Sequence, residues 1–372
     1  MAANVSRALQ SRWVEALLAS GWVRIAGKIA MFLASVAFFI VALRLIQAGA
    51  GAVAPVIRES FNVETWIGAL GFGWIAACAL LSGSPVAASA LSFFDAGEIS
   101  EFAAFSMITG SRLGAAFVVL LIGFLYLVTR RGTLAETRIG LMALIVTAIV
   151  YLPAFLLGMG LLGLGAMDLL GNSPNELASA IKGGPAEAVE EEVSRMLPPW
   201  AMFVAGIVLF IVSFKLFDFS LPDLGDDGRA AKFLKKHVYR RWPMFCLGAA
   251  ITTVSMSVSV SLGLLVPLHT RRIVSIKHLV PYVMGANIMT FADSLLAALT
   301  MENSGAIALV QVQMAAVTTC SLAVMLVRFE QFKEFVLHTV DRVSKNLAVF
   351  GVFVTAFITS PILLCLIAIA LR

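Results

Sequence analysis

Charge is scarce in this chain, and so are the residues that usually carry chemistry. Of its 372 residues, only 13% are Asp, Glu, Lys or Arg, while 60% are hydrophobic. The four histidines, His237, His269, His278 and His338, are scattered, and none pairs with a carboxylate at ligand spacing. No Cys-x-x-Cys or Cys/His spacing suggests a metal site. The four cysteines, Cys78, Cys246, Cys320 and Cys365, all lie in apolar segments, where burial as small hydrophobes is the expectation. There is no phosphate-cradling nucleotide loop, no long linker and no stretch of soluble-domain composition, which argues against an ATP-driven pump. Neither a Ser/His pair, nor paired carboxylates, nor a metal constellation speaks for an enzyme. The formal charge of +5 is no sign of a nucleic-acid partner, because in so apolar a chain the placement of Lys and Arg matters more than their sum.

What the chain does have is apolar runs of membrane-spanning length, which needs about 20 residues. Hydropathy predicts seven crossings, at 28–50, 101–129, 139–165, 199–221, 278–300, 305–327 and 347–371. Short alternating segments of the barrel kind are absent. The first run, from near Ile29, has the length of a span rather than of a cleavable leader. Residues 1–27 carry Arg12, Trp13, Trp22 and Arg24 among apolar residues, the pattern of a helix lying on the cytoplasmic face of the bilayer. The expected location is the cell (inner) membrane.

Two further apolar stretches, 66–91 and 243–268, are interrupted near their middles by Ser82-Gly83-Ser84 and Ser257-Val258-Ser259. These interruptions lie 175 residues apart. The same 175 residues separate Ile108-Thr109-Gly110-Ser111-Arg112-Leu113 from Val283-Met284-Gly285-Ala286-Asn287-Ile288. Paired interruptions in corresponding halves point to a transporter's binding site. Non-helical backbone at that depth requires a protein or cavity lining, so both stretches are expected to be re-entrant hairpins. With the N-terminus in the cytoplasm, the segments 1–28, 130–138, 222–242, 269–277 and 328–346 hold 20 of the 27 Lys and Arg. Only Arg58, Lys182, Arg195 and Arg372 fall outside, the bias of a correctly oriented membrane protein. The halves 28–165 and 199–327 then have opposite orientation, with the last span standing outside the repeat. The expected fold is an all-α polytopic membrane protein of two inverted repeats, each with a re-entrant helical hairpin and broken helices. Residues 166–198 form an external acidic loop, read as an amphipathic helix or a solvated loop, and 328–346 a cytoplasmic amphipathic helix.

The run Ser255-Met256-Ser257-Val258-Ser259, followed by Pro281 and Gly285-Ala286-Asn287-Ile288-Met289-Thr290, resembles the sodium–phosphate cotransporter family (the type II cotransporters and their bacterial relatives). That family carries a Gln-Ser-Ser-Ser run followed at this distance by Gly-Ala-Asn-Ile-Gly-Thr, once in each of two inverted repeats. The resemblance covers about 81–118 and 250–300. This chain departs from the pattern at Leu81 and Met256, in place of Gln, at Gly83 and Val258, in place of Ser, and at Met289, in place of Gly. Arg112 stands at the Asn position of the first repeat. The resemblance implies transport of inorganic phosphate coupled to sodium.

The residues support an oxyanion site on their own terms. Helix N-termini at broken helices favour anions, hydroxyls and bare amides bind oxyanions, and a guanidinium offers a bidentate fork. The candidate substrate set is Ser82, Gly83, Ser84, Ser111, Arg112, Ser257, Ser259 and Asn287. Arg112 is alternatively a structural ion pair, or a fixed substitute for one bound cation. Asn287, Thr290 and Asp293 form the candidate set for a coupling cation, with sodium implied by the resemblance and a proton equally compatible with the residues. Asp293 is alternatively the partner of Arg112. Arg44, Lys215 and Asp218 are read as snorkelling side chains, and Gln311 and Gln313 as polar packing between helices. No other cofactor is expected, and the partners are a small oxyanion and the lipid bilayer, with self-association left open. Three functions fit: an oxyanion transporter coupled to sodium; an exporter or proton-coupled carrier of an organic phosphate or carboxylate; and a non-transporting scaffold or sensor.

Overall fold

The computed structural model describes residues 21–128, 134–170, 184–220, 240–263, 274–301 and 303–372. The N-terminal part of the predicted interfacial helix, to residue 20, lies outside these, as do 171–183 of the acidic loop and the end of the second interrupted stretch from 264. Among the described residues every regular element is helical. In lipid an apolar chain must satisfy its backbone within each segment, and helices do so.

The elements run α1 (Gly21–Phe61), α2 (Trp66–Leu80), α3 (Ser84–Asp95), α4 (Glu101–Val128), α5 (Leu134–Gly163), α6 (Ala166–Leu170), α7 (Pro185–Met196) and α8 (Pro199–Ser220). They continue with α9 (Arg241–Ser255), α10 (Val258–Gly263), a 3-10 turn (Ile276–His278), α11 (Val280–Met289), α12 (Ala292–Leu299), α13 (Ser304–Val327), α14 (Phe329–Lys345) and α15 (Leu347–Ala370). Among the described residues seven segments are long and apolar enough to cross a bilayer, and they fall on the seven predicted crossings. The chain is a multi-pass helical membrane protein. The first helix runs past residue 50, through Pro55, to Phe61. The fifth crossing is divided at Thr290–Phe291 into α11 and α12.

Burial ranks the helices. In α4, 83% of the apolar window is enclosed, and in α5 and in α11–α12 it is 72%, against 22% in α15. The centre is therefore α4, flanked by α2 and α5, with α11 packed on α9 and α5. Helices α1 and α8 pair with each other, and α15 covers α2. Exposed Leu156, Val204, Val208 and Leu363 form part of the apolar outer surface. Cys365 is buried as expected, but Cys78 and Cys320 are half-buried and Cys246 is exposed, which an apolar surroundings of lipid tolerates.

Both interrupted stretches are broken helices. Helix α2 ends at Leu81 and α9 at Met256, each in the left-handed region (φ 52° and 48°). The Ser82 amide closes on the Ala77 carbonyl at 3.1 Å, the six-residue closure of a Schellman cap. Pro85, in the first turn of α3, stands where a missing N–H costs nothing. Of the two alternatives for the acidic loop, its second half is the helix α7, with Arg195 bridging Glu191 at 2.8 Å and Glu192 at 3.1 Å. Helix α14 forms as expected and buries Phe329, Val336, Val340 and Val343 along one side.

The 175-residue spacing recurs in packing. A Cβ on Gly73 would strike the Met107 carbonyl, and one on Gly248 the Tyr282 carbonyl. A Cβ on Gly110 would strike the Leu70 carbonyl and crowd the Trp74 amide, and one on Gly285 the Phe245 carbonyl and the Ala249 amide. Each residue of one interlock lies 175 positions from its counterpart in the other. Helix pairs α2–α4 and α9–α11 thus share one backbone-to-backbone contact, which only glycine permits. Gly248→Ala and Gly285→Ala are each expected to cost about 1–3 kcal/mol, read as a lower unfolding midpoint in detergent. Gly160→Ala, with open space around the added carbon, should show no loss.

Candidate substrate site at a buried ion pair

Arg112 projects from the most enclosed helix and is 4% exposed. Its guanidinium forks onto Asp293, with Nη2 donating to Oδ1 at 2.8 Å and Nη1 facing Oδ2 at 3.4 Å. Nη2 also donates to the Ser294 hydroxyl. The guanidinium carbon lies 5.1 Å from the centre of the Phe291 ring. Nε is buried with no partner among the described residues. Asp293 is 1% exposed and stands in the first turn of α12, where unpaired amides favour a carboxylate. The Ser294 amide donates to its Oδ1, and the Ser294 hydroxyl lies 3.1 Å from that oxygen.

A second polar cluster gathers around Asn287. Asn287 pairs with Thr147 of α5, its Nδ2 at 3.1 Å and its Oδ1 at 3.2 Å from the Thr147 hydroxyl. The Tyr151 hydroxyl donates to the Asn287 carbonyl at 2.7 Å. The Tyr151 ring meets Phe291 edge-on, at 5.9 Å between centres. One turn before Arg112, Thr109 accepts from Gln313 of α13, which also donates to the Phe105 carbonyl at 3.3 Å. Gln313 therefore provides the expected interhelical polar packing, whereas Gln311 is exposed.

The expected convergence of the whole oxyanion set on Arg112 is replaced by a division of labour. Arg112 and Asp293 neutralise each other, and Asn287 is held by α5. Gly83 approaches α4 at the Ser111 carbonyl, so closely that a Cβ would lie 2.7 Å from it. Ser111 is buried and returns its hydroxyl to Ile108 at 2.7 Å. Ser82 and Ser84 are half-buried at the break. Ser257 is half-buried too, its amide 3.4 Å from the Ser255 hydroxyl. The side chain of Ser259 lies outside the described residues. Thr290 is buried at the turn, its amide bonded to Ala286 at 3.0 Å. At the second break the bonded hydroxyl is Ser261, 2.7 Å from Thr252 and 2.9 Å from the Tyr282 hydroxyl. Lys215 is exposed as a snorkelling lysine should be, whereas Arg44 and Asp218 are only half-exposed.

Thr147, Tyr151, Ser294 and Gln313 form the surroundings of the candidate residues, and only Gln313 was marked in the sequence. Thr147 and Tyr151 are four apart and so share a helix face, a weak signal in an apolar helix. Among the described residues no three His, Cys, Asp or Glu side chains gather as metal ligands. No protein family, curated protein or solved structure matches the chain.

Chemically, the site holds one permanent cation, one carboxylate that can exchange partners, and neutral hydrogen-bonding groups around Asn287. Breaking a buried pair from one side typically costs about 3–5 kcal/mol. Arg112→Met alone should destabilise the protein by that order, and Arg112→Met with Asp293→Asn should recover most of the loss, measured as unfolding midpoints in detergent.

Proposed function

We propose that this chain is a secondary active transporter that carries inorganic phosphate or a related oxyanion across the cell membrane, on two repeats of opposite orientation with re-entrant hairpins. The observation that carries the reading is the duplicated break. Two helices stop at left-handed residues 175 positions apart, beside serines, and each is locked by the same glycine interlock. The segment after each break packs on the helix of the other half, α3 on α12 and α10 on α4, the two helices that supply Asp293 and Arg112. The resemblance to the sodium–phosphate cotransporters points the same way.

In this reading Arg112 is the anion's anchor and Asp293 its resident counter-charge. An oxyanion leaving water needs several donors at once. The guanidinium supplies two in one plane, and Ser82, Ser84 and Ser257, half-buried beside the two breaks, are the further candidate donors. Arg112 turns to the substrate only when Asp293 is neutralised by something else. Sodium bound at Asp293 with Asn287 and Thr290 is the form that the resemblance favours. A proton is the second reading, and one observation favours it. Asn287 is already bonded to Thr147, and Asp293 to Arg112 and Ser294, so these two sodium candidates belong to separate networks, whereas a proton needs one carboxylate oxygen.

The test is uptake of radiolabelled phosphate by proteoliposomes, under a sodium gradient and separately under a pH gradient. Phosphate accumulation under one gradient is expected. Arg112→Lys keeps the charge but loses the fork, and it should lower uptake at least tenfold while the protein stays folded. Asp293→Asn should remove the dependence on the driving gradient more than it weakens phosphate affinity at saturating coupling ion. A folded protein that moves neither phosphate, organic phosphates nor carboxylates under either gradient overturns the transporter reading and leaves a scaffold or sensor.

A further inference from the structure

A second charged site lies away from the ion pair. A cavity of about 290 Å³ is lined by Arg240, Arg241, Lys277, His278, Pro281, Phe329, Glu330 and Lys333. That size sits at the low end of small-molecule sites, roughly 300–1,000 Å³. Four lining side chains are permanent cations and one is an acid. Glu330 is already bonded to Lys333, so the cavity carries a positive excess. The cationic heads are braced by aromatic rings: the Arg241 guanidinium lies 5.8 Å from the Phe329 ring centre and 5.9 Å from that of Trp242, and the Lys333 ammonium 5.7 Å from Phe329. His278 is held below the ordinary histidine range, first by burial and then by Lys277 and Lys333. Like charges gathered around a concavity repel one another and leave a strong attraction for an anion.

The position of the cavity says what form the anion takes. Arg240 and Arg241 open α9, Lys277 and His278 immediately precede the crossing that begins at Val280, and Phe329 follows the crossing that ends at Val327. Three apolar segments therefore stop at this cavity, which puts it at the level of lipid headgroups. Exposed Leu326 and Val327 adjoin it, and Trp242 is exposed at its edge, as in an interfacial belt. By the distribution of Lys and Arg, all of these segments face the cytoplasm.

We propose that this cavity binds a phosphate group presented by an anionic phospholipid of the adjoining leaflet, with Arg241, Lys277 and Lys333 on its oxygens. The phosphodiester enters the cavity and the acyl chains lie along the exposed apolar residues next to it. None of the lining residues belongs to the ion-pair site, so the proposal stands apart from the transport reading.

The experiment uses the full chain in detergent with added lipid, followed by native mass spectrometry and by the unfolding midpoint. Phosphatidylglycerol should be retained on the protein and raise the midpoint, and phosphatidylcholine should do neither. Lys277→Gln with Arg241→Gln should weaken phosphatidylglycerol retention at least tenfold, while Lys277→Arg retains it. Should the double variant fail to fold, Lys277→Gln alone, at an exposed position, should still lower retention measurably. Equal retention of the two lipids, or equal retention by wild type and the charge-neutralised variants, overturns the proposal. Displacement of the lipid by millimolar inorganic phosphate in wild type, with no midpoint gain from lipid, assigns the cavity to a soluble phosphate and overturns the lipid source.

Discussion

A permanent cation 4% exposed on the most enclosed helix has to be met by a counter-charge that the fold itself delivers, and much of the centre is arranged around that delivery. Helix α11 stops at Met289 and the chain turns through Thr290 and Phe291. Asp293 thereby falls in the first turn of a new helix, where backbone amides stabilise a carboxylate before Arg112 is counted. The same turn lays Phe291 over the guanidinium and against Tyr151. One short interruption thus serves the charge, the ring that covers it and the link to the neutral cluster at Asn287.

The two segments that share the glycine interlock carry different chemistry. Arg112 and Asn287 occupy matching places, 175 positions apart, and Val118 matches Asp293. The Asn287 side-chain amide needs no charge partner and settles on Thr147 of α5, while Tyr151 donates to the Asn287 backbone carbonyl. The Arg112 guanidinium cannot do that. Its carboxylate comes from the second half, so the ion pair joins the halves across 181 residues of chain. Matching backbone contacts 175 positions apart thus go with unequal polarity.

Much of this was legible in the sequence, for identifiable reasons. The crossings are legible because some 20 apolar residues in a row have few other uses. The two breaks are legible through Ser82-Gly83-Ser84 and the serines around Met256, residues that are odd in an apolar helix. The residues that adopt the left-handed conformation are nevertheless Leu81 and Met256, and nothing about a leucine or a methionine announces it. The Arg112–Asp293 pair was one of three readings open for Arg112 and one of two for Asp293, since composition does not say how far apart two spans lie. Thr147, Tyr151 and Ser294 escaped notice because a hydroxyl in a membrane helix usually satisfies itself on its own backbone, as Ser111 does. Helix α7 stayed open against a loop because its apolar positions, Val189, Val193 and Met196, are few among the acids and none of its residues is buried.

Left-handed backbone costs a residue with a side chain about 1–2 kcal/mol, so Leu81 and Met256 persist only where neighbouring packing over-determines them. The interlocks Gly73–Met107 and Gly248–Tyr282 provide it, holding α2 on α4 and α9 on α11 within each half. Between the halves, α1 and α8 interlock in the same way at Gly49 and Gly206, but the contacts beside the ion pair are of another kind. Helix α3 lies on α12 and α10 on α4, and the charged link there is the Arg112–Asp293 pair. Backbone interlocks cannot slide without a clash, whereas an ion pair can part if each charge finds another partner. Any displacement of α12 relative to α4 must separate guanidinium from carboxylate, and in a dry interior that separation is prohibitive unless an anion takes the first and a cation or proton the second. Displacement of α12 against α4 and occupancy of the site by small ions are therefore energetically linked through these two residues.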